Sequence, residues 1–326
     1  MICLGIESTA HTFGAGIVTD SGKILANIKD IYVPKKGGIH PREAAEHHTQ
    51  ACGTVLQDAL TTAKIKLSDI NLVTFSQGPG LPPCLRIGAV FARTLGLRLG
   101  IPIIGVNHCV AHIEIGNLTT GLSDPVTLYV SGGNTQVIAF TEGRYRIFGE
   151  TLDNGIGNIL DQFARAAGLP HPGGPKIEQL AQKGSYIILP YVVKGMDLSF
   201  GGILSEAVRK FVAGEKIENI CYSLQENCFA MLTEVVERAV AHTDKTEVLL
   251  TGGVAANKRL QEMLRIMCAE RGVKFAVVPA EFAGDNGAMI AWTGLLAYKA
   301  GQRQTIANTQ IRPKWRTDEV DVAWKV

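Results

Sequence analysis

One pattern occurs twice in this chain and constrains its fold more than any other feature. Residues 2–7 are an apolar run closed by Glu7, the stretch Ser8-Thr9-Ala10-His11-Thr12 is polar, residues 13–19 are apolar again, Asp20-Ser21-Gly22-Lys23 has turn chemistry, and residues 24–31 alternate in part. Short apolar or alternating runs bounded by Gly, Ser and Asp predict strands, here three in a meander. After Pro125 the order restarts, with residues 126–130, the polar turn Ser131-Gly132-Gly133-Asn134-Thr135, residues 136–141 and residues 145–150. A repeat of this kind means two similar units, each unable to bury its strands without the helices that follow.

Those helices are legible. Pro41 suits a first helical turn, and residues 42–63 carry Ala45, Cys52, Val55, Leu56, Ala59 and Leu60 on one face. A strand over 71–76, the loop from Gln77 to Pro83, a helix over 85–99 and a strand over 101–106 complete the first half. The second half has helical patterns at about 158–167, 175–182, 204–212 and 217–242. A block then follows with a strand at 248–250, a Gly-rich turn at 251–257, a helix over 258–271, a strand over 274–278 and a helix over 284–299. The expectation is an α/β protein of two domains, 1–118 completed by a C-terminal segment from about 296 to 326, and 119–295.

Composition narrows the function classes. With 32 Lys+Arg against 30 Asp+Glu in 326 residues, net charge offers no argument for nucleic acid or membrane, so a polyanionic partner needs a local patch. Seven cysteines, at 3, 52, 84, 109, 221, 228 and 268, show no C-x-x-C spacing, which speaks against a disulfide framework or a cysteine zinc site and for a reducing compartment. The opening Met1-Ile2-Cys3-Leu4 lacks a basic lead, and no apolar run reaches the ~18 residues of a membrane span. A cytoplasmic protein without a membrane role is expected.

Three kinds of residue carry chemistry. In Asn107-His108-Cys109-Val110-Ala111-His112, a helix starting after the apolar strand puts His108 and His112 one turn apart, roughly 5–6 Å between Cβ atoms, as a metal chelate requires. The same spacing also serves plain core histidines. Three turns, at Ser8-Thr9, Ser131 to Thr135 and Thr251-Gly252-Gly253, follow strands. The paired glycines of the last two let backbone N–H groups approach a phosphate, although Gly-Gly hairpins are common without one. Neither a Walker loop nor a dinucleotide fingerprint is present. Among the acids, Asp161 lies on a helical stretch, Glu178 suits either a site or a helix dipole, and Asp285 suits either an N-cap or the third ligand of a two-histidine site.

In order along the chain stand Gly5-Ile6-Glu7-Ser8-Thr9, Gly78-Pro79-Gly80-Leu81, Asn107-His108 to His112, Ser131-Gly132-Gly133-Asn134-Thr135, Gly173-Gly174-Pro175-Lys176-Ile177-Glu178, Gly252-Gly253-Val254-Ala255-Ala256-Asn257 and Asp285-Asn286-Gly287-Ala288. This series resembles the universal tRNA threonylcarbamoyladenosine synthase family over nearly the whole chain. Gly37-Gly38-Ile39-His40-Pro41-Arg42-Glu43-Ala44-Ala45 resembles its archaeal and eukaryotic branch, the catalytic subunit of the KEOPS complex. The resemblance implies two duplicated actin/Hsp70-like (ribonuclease H-like) domains with a nucleotide and metal cleft between them. It also implies transfer of the threonylcarbamoyl group from threonylcarbamoyl-AMP to N6 of the adenosine 3′ of the anticodon, in tRNAs that read codons beginning with adenine. One divalent metal, iron or zinc, is implied on His108, His112 and Asp285, with Tyr129 as a possible fourth ligand. ATP or the acyl adenylate is implied on Tyr129, Val130, Ser131, Gly132, Gly133, Asn134, Thr135, Asp161, Gly174, Glu178 and Asn257. The implied partners are tRNA and the small kinase and small dimerising subunits of KEOPS, and the kinase is fused to some archaeal relatives.

Two departures from the family pattern stand out, Pro82-Pro83-Cys84 after Gly80-Leu81, which stiffens that loop, and Gly201 where relatives often carry serine. Two other functions share parts of the pattern. A metallopeptidase of the H-E-x-x-H type needs a glutamate beside its first histidine, and Cys109, Val110 and Ala111 fill that gap. An actin-like ATPase, kinase or nucleotide switch fits the glycine turns but has no use for the histidine pair. For tRNA, the cationic candidates are Lys35, Lys36 and Arg42, and Arg312, Lys314 and Arg316 around Trp315; each also reads as an ordinary solvated surface.

Overall fold

The computed structural model describes residues 1–34 and 38–325 and divides into two compact units. The first holds Met1–Leu118, Thr141–Tyr145 and the segment from Asp285 onward; the second holds Thr119–Phe140 and Arg146–Gly284.

The first unit runs β1 (Ile2–Glu7), β2 (Thr12–Thr19), β3 (Ile24–Ile31), α1 (Pro41–Ala63), β4 (Leu72–Gly78), α2 (Pro82–Leu99), β5 (Ile103–Asn107) and α3 (His108–Thr120). Its sheet has the order β3-β2-β1-β4-β5, with β1 antiparallel to β2 and parallel to β4. The second unit follows with β6 (Val126–Val130), β7 (Thr135–Thr141), β8 (Arg144–Glu150), α4 (Ile156–Ala166), α5 (Gly173–Ala181), the short hairpin β9 (Val193–Lys194) and β10 (Asp197–Leu198), α6 (Gly201–Val212) and α7 (Ile217–Thr243). It closes with β11 (Glu247–Thr251), α8 (Lys258–Glu270), β12 (Lys274–Val277) and the single turn α9 (Ala280–Ala283). Its sheet, β8-β7-β6-β11-β12, repeats the first: β6 is antiparallel to β7 and parallel to β11. The duplicated meander is therefore present, and the architecture is the expected α/β, actin/Hsp70-like class. The β9–β10 hairpin escaped the sequence reading because two-residue strands show no alternation.

Each unit has its own core. Leu4, Ile6, Phe13, Val73 and Phe75 centre the first, and Leu128, Phe163, Leu224, Phe229 and Leu250 the second. The helix α10 (Gly287–Lys299) belongs to the first unit, so that unit's third stretch begins at Asp285 and not near residue 296. The reason is backbone-to-backbone packing. A Cβ on Gly5 would sit 2.2 Å from the Ala291 nitrogen, one on Gly16 2.1 Å from that of Ala288, and one on Gly287 2.1 Å from that of Gly16. Glycine at these three positions lets α10 lie directly on β1 and β2, which fixes where its first residues point.

Several helix starts differ by two or three residues from the sequence reading, among them those of α4, α5, α6 and α10. α2 begins at Pro82 and not at Leu85, because both prolines occupy its first turn, where a missing N–H costs nothing. α3 is buried on every side from His108 to Gly116, so its three polar residues, His108, His112 and Glu114, must all find partners inside the protein.

Candidate functional site

The strand β5 delivers the chain to Asn107, whose Oδ1 accepts from the Cys109 and Val110 nitrogens at 2.9 and 3.1 Å and so caps α3. The cap sets His108 as the first helical residue and His112 one turn on. Their rings stand 4.7 Å apart, nearly perpendicular. Asp285 Oδ1 lies 3.4 Å from Nε2 of both His108 and His112. One ligand atom from each of the three residues falls within 4.8 Å of the others, the only such trio among the described residues. Asp285 is not the N-cap of α10: Asn286 takes that role, accepting from the Met289 nitrogen at 3.0 Å, which leaves the Asp285 carboxylate to the histidines.

Behind His108 stands Glu7, wholly buried at the end of β1. Its Oε2 accepts from Nδ1 of His108 at 3.0 Å, and its Oε1 from the Thr9 nitrogen at 2.6 Å and the Thr9 hydroxyl at 2.5 Å. A carboxylate on Nδ1 places that proton and aims Nε2 forward. Glu7 appeared in the sequence only as part of a motif. The signal was there, since an acid inside a strand read as buried requires a partner. Burial opposes ionisation of Asp285, yet the charge of His108 and the hydrogen bonds of both histidines hold its carboxyl well below the usual range. Burial pushes His112 down, and its hydrogen bond to Asp285 offsets this only in part. A cation there would take the place of the imidazole protons on Nε2 and meet an ionised carboxylate.

The other candidate residues lie in the second unit. Tyr129 and Val130 are wholly buried on β6. The turn after them is locked by the Ser131 nitrogen on the Asn134 carbonyl at 2.8 Å and the Asn134 nitrogen on Ser131 Oγ at 3.0 Å. It rests on the start of α4, where the Gly157 and Asn158 nitrogens reach the Ser131 and Gly132 carbonyls at 3.2 and 3.0 Å. Gly132 and Gly133 remain exposed. Thr135 Oγ1 accepts from the Ile156 nitrogen at 2.8 Å. Asp161 on α4 accepts from the Gly173 nitrogen at 2.7 Å at the start of α5, next to Gly174, and Glu178 on α5 accepts from the Lys258 nitrogen at 2.7 Å at the start of α8. Asn257 caps α8 through the Arg259 and Leu260 nitrogens, and its Nδ2 donates to Gln225 Oε1 at 2.9 Å. The 131–134 turn thus holds the start of α4, α4 through Asp161 holds the start of α5, and α5 through Glu178 holds the start of α8, where Asn257 adds Gln225. Gln225 is 5% exposed and gave no sequence signal on its long helix.

Both departures have local accounts. The Pro82-Pro83 pair starts α2, and Gly201 starts α6, where Asp153 accepts from the Phe200 and Gly201 nitrogens and from Ser199 Oγ. A Cβ on Gly201 would come within 3.0 Å of that carboxylate, so glycine suits the cap. Of the cationic candidates, Arg312 and Arg316 pair with Glu319 and Asp318, while Lys35 and Lys36 lie outside the described residues. No described helix is long and apolar enough to cross a membrane.

Residues 23–292 match the sequence profile of the TsaD family, tRNA N6-adenosine threonylcarbamoyltransferase. A protein of Methanothermobacter thermautotrophicus named "Probable bifunctional tRNA threonylcarbamoyladenosine biosynthesis protein" is 59% identical over 99% of this chain and 61% of its own length. The chain therefore spans about three fifths of that relative. A protein of Thermococcus kodakarensis named "tRNA N6-adenosine threonylcarbamoyltransferase" is 59% identical over 99% of this chain and 100% of its own. Among solved structures, HypF of T. kodakarensis is similar in fold alone, with a TM-score of 0.64 and 16% identity over 91% of this chain and 48% of that one.

Proposed function

The chain belongs to the family of tRNA N6-adenosine threonylcarbamoyltransferases, and from that premise we propose that it transfers the threonylcarbamoyl group of threonylcarbamoyl-AMP to N6 of the adenosine 3′ of the anticodon, releasing AMP. The observation that carries this reading is the convergence of His108, His112 and Asp285 with Glu7 behind them. Two imidazoles and a carboxylate suit iron or zinc, and their buried, partly desolvated setting fits a single divalent ion. When bound, such an ion supplies Lewis-acid charge for an acyl or carboxylate oxygen of the donor. The protein's own part is to orient its ligands. Glu7 holds the His108 proton on Nδ1, Asp285 stays ionised, and Thr9 keeps Glu7 in place. Tyr129 is retained as a possible further ligand.

For the adenylate, the exposed Gly132 and Gly133 backbone with Ser131, Asn134 and Thr135 is the proposed phosphate contact, since N–H groups there meet no Cβ. Asp161, Gly174, Glu178 and Asn257 are the proposed nucleoside contacts, already set in place by their helix-start bonds. ATP would occupy the same positions. The proposed partners are tRNA, a small kinase and a small dimerising subunit, which would bring cationic surface that this near-neutral chain lacks. The proposed setting is the cytoplasm.

The test is transfer of labelled threonine into tRNA by the chain with its partner subunits and threonylcarbamoyl-AMP. Wild type should form product, and His108→Ala/His112→Ala should lose at least about a hundredfold in rate, as removal of a main charge-stabilising group does. Equal product from both would demote the histidines to structure. No product from wild type would leave a nucleotide switch as the better reading.

A further inference from the structure

We propose that the segment after α10 is a strap that sets the pose of α3, and that Asn107, Glu114 and Trp324 are positioning residues for the metal ligands. This rests on the metal-centre reading given above. A helix that offers two ligands one turn apart must be fixed along its axis and also in rotation about it. Both are done by residues outside the ligand set.

At its start, α3 is tied through Asn107. While its Oδ1 caps the helix, its Nδ2 donates to the carbonyls of Trp315 and Arg316 at 3.1 and 3.4 Å. One side chain therefore joins the helix start to the strap. The rotation is set at Glu114, which is 3% exposed. At ~100° per residue, Glu114 lies roughly 200° round the helix from His112, on the face turned away from the ligands. Its Oε1 accepts from the Tyr145 hydroxyl at 2.7 Å and from the Trp324 indole Nε1 at 2.8 Å. Both donors are neutral, and both belong to the same unit as α3. Packing alone does not explain a carboxylate there, because burying one costs several kcal/mol unless donors meet it. What the residue adds over leucine is direction: two donors on one oxygen allow one rotation of the helix.

The strap also reaches the residue behind His108. The Arg312 nitrogen donates to the Gln77 carbonyl at 2.7 Å, and the Gly80 nitrogen to the Pro313 carbonyl at 3.2 Å. The approach is so close that a Cβ on Gly78, whose φ is +157°, would stand 1.9 Å from the Arg312 oxygen. On the other side of this loop, the Leu81 nitrogen donates to the Thr9 carbonyl at 2.8 Å, and Thr9 holds Glu7. The strap thus supports His108 twice, through the cap of its helix and through the turn that fixes its carboxylate partner.

The experiment uses the full chain and cobalt(II) alone as probe, reading its visible ligand-field spectrum and its affinity, with unfolding of the metal-free protein measured in parallel. Trp324→Phe keeps the ring and deletes the donor; Glu114→Gln keeps an acceptor oxygen. Loss of a group that orients a metal ligand typically costs 10- to 100-fold in metal affinity. Trp324→Phe should weaken cobalt about tenfold and alter the spectrum at temperatures where the metal-free variant is fully folded, and Glu114→Gln should stay within about threefold of wild type. Wild-type affinity and spectrum in Trp324→Phe would overturn the strap. His112→Ala separates the two readings. If it abolishes cobalt binding while Trp324→Phe changes nothing, only the strap is wrong; if cobalt ignores His112→Ala, the metal centre and the strap fall together.

Discussion

The two units start from the same meander and present their polar residues in opposite ways. In the first, the candidate site is three buried side chains, Glu7, His108 and His112, with the partly exposed Asp285, brought together by a helix pressed onto strand backbone. In the second, side chains such as Asp161, Glu178 and Asn257 are engaged in holding helix starts, and what stays exposed is backbone at Gly132 and Gly133. In the proposed reading, one repeat holds a cation on side chains and the other an anion on N–H groups. A duplicated fold thus supplies matching positions, and the residue types at those positions set what each unit presents.

The sharpest way to break this comparison uses glycine. Gly287→Ala places a Cβ 2.1 Å from the Gly16 nitrogen, where only backbone can yield, and should cost about 3 kcal/mol by chemical denaturation. Gly133→Ala meets nothing within 4 Å and should stay within about 0.5 kcal/mol of wild type. Similar losses in the two variants would mean that backbone contact does not distinguish the units.

A smaller effect is expected at Asn257. Replacing it with alanine removes a cap oxygen that accepts from two backbone nitrogens and the bond to Gln225, and should lower stability by roughly 1–2 kcal/mol. Asn257→Asp keeps the cap oxygen and should recover most of that stability while still losing affinity for a fluorescent adenosine nucleotide, measured by titration. Recovery of both would assign Asn257 to capping alone.

The units should also differ in acid. Burial and the neighbouring His47 push folded His48, on α1, down to about 4 from an ordinary 6.5. The unfolded imidazole takes its proton first, so the first unit loses stability as the pH falls from 6.5 toward 4, by on the order of 1–2 kcal/mol between pH 7 and 5. In the second unit, Asp153 is opposed by burial but held below 3.8 by the Gly201 and Phe200 nitrogens, so its contribution is intact at pH 5 and fades only as the pH drops through its lowered value. Urea midpoints at pH 7 and 5 should therefore converge in His48→Gln and not in Asp153→Asn. Equal drops in wild type and His48→Gln would remove His48 from the acid response.

Much of the fold was legible because a meander followed by helices leaves local marks, namely apolar runs, turn residues and caps, and it did so twice. The histidine pair was legible because helical spacing is itself a geometry. Glu7 was harder to read, since nothing local says that a strand end will meet a helix start 101 residues later. The double prolines of α2 were read as loop because their effect depends on whether they fall in the first turn or beyond it.

By itself, then, the sequence determined the longer strands and helices, the repeat and the family, all of which follow from short-range pattern or ordered motifs. Tertiary structure alone decided that Asn286 rather than Asp285 caps α10, that Asp285 turns to the histidines, and that Trp324 and Tyr145 meet Glu114. Those outcomes depend on which long-range partner satisfies a buried polar group, and that choice is made only when the backbones have come together.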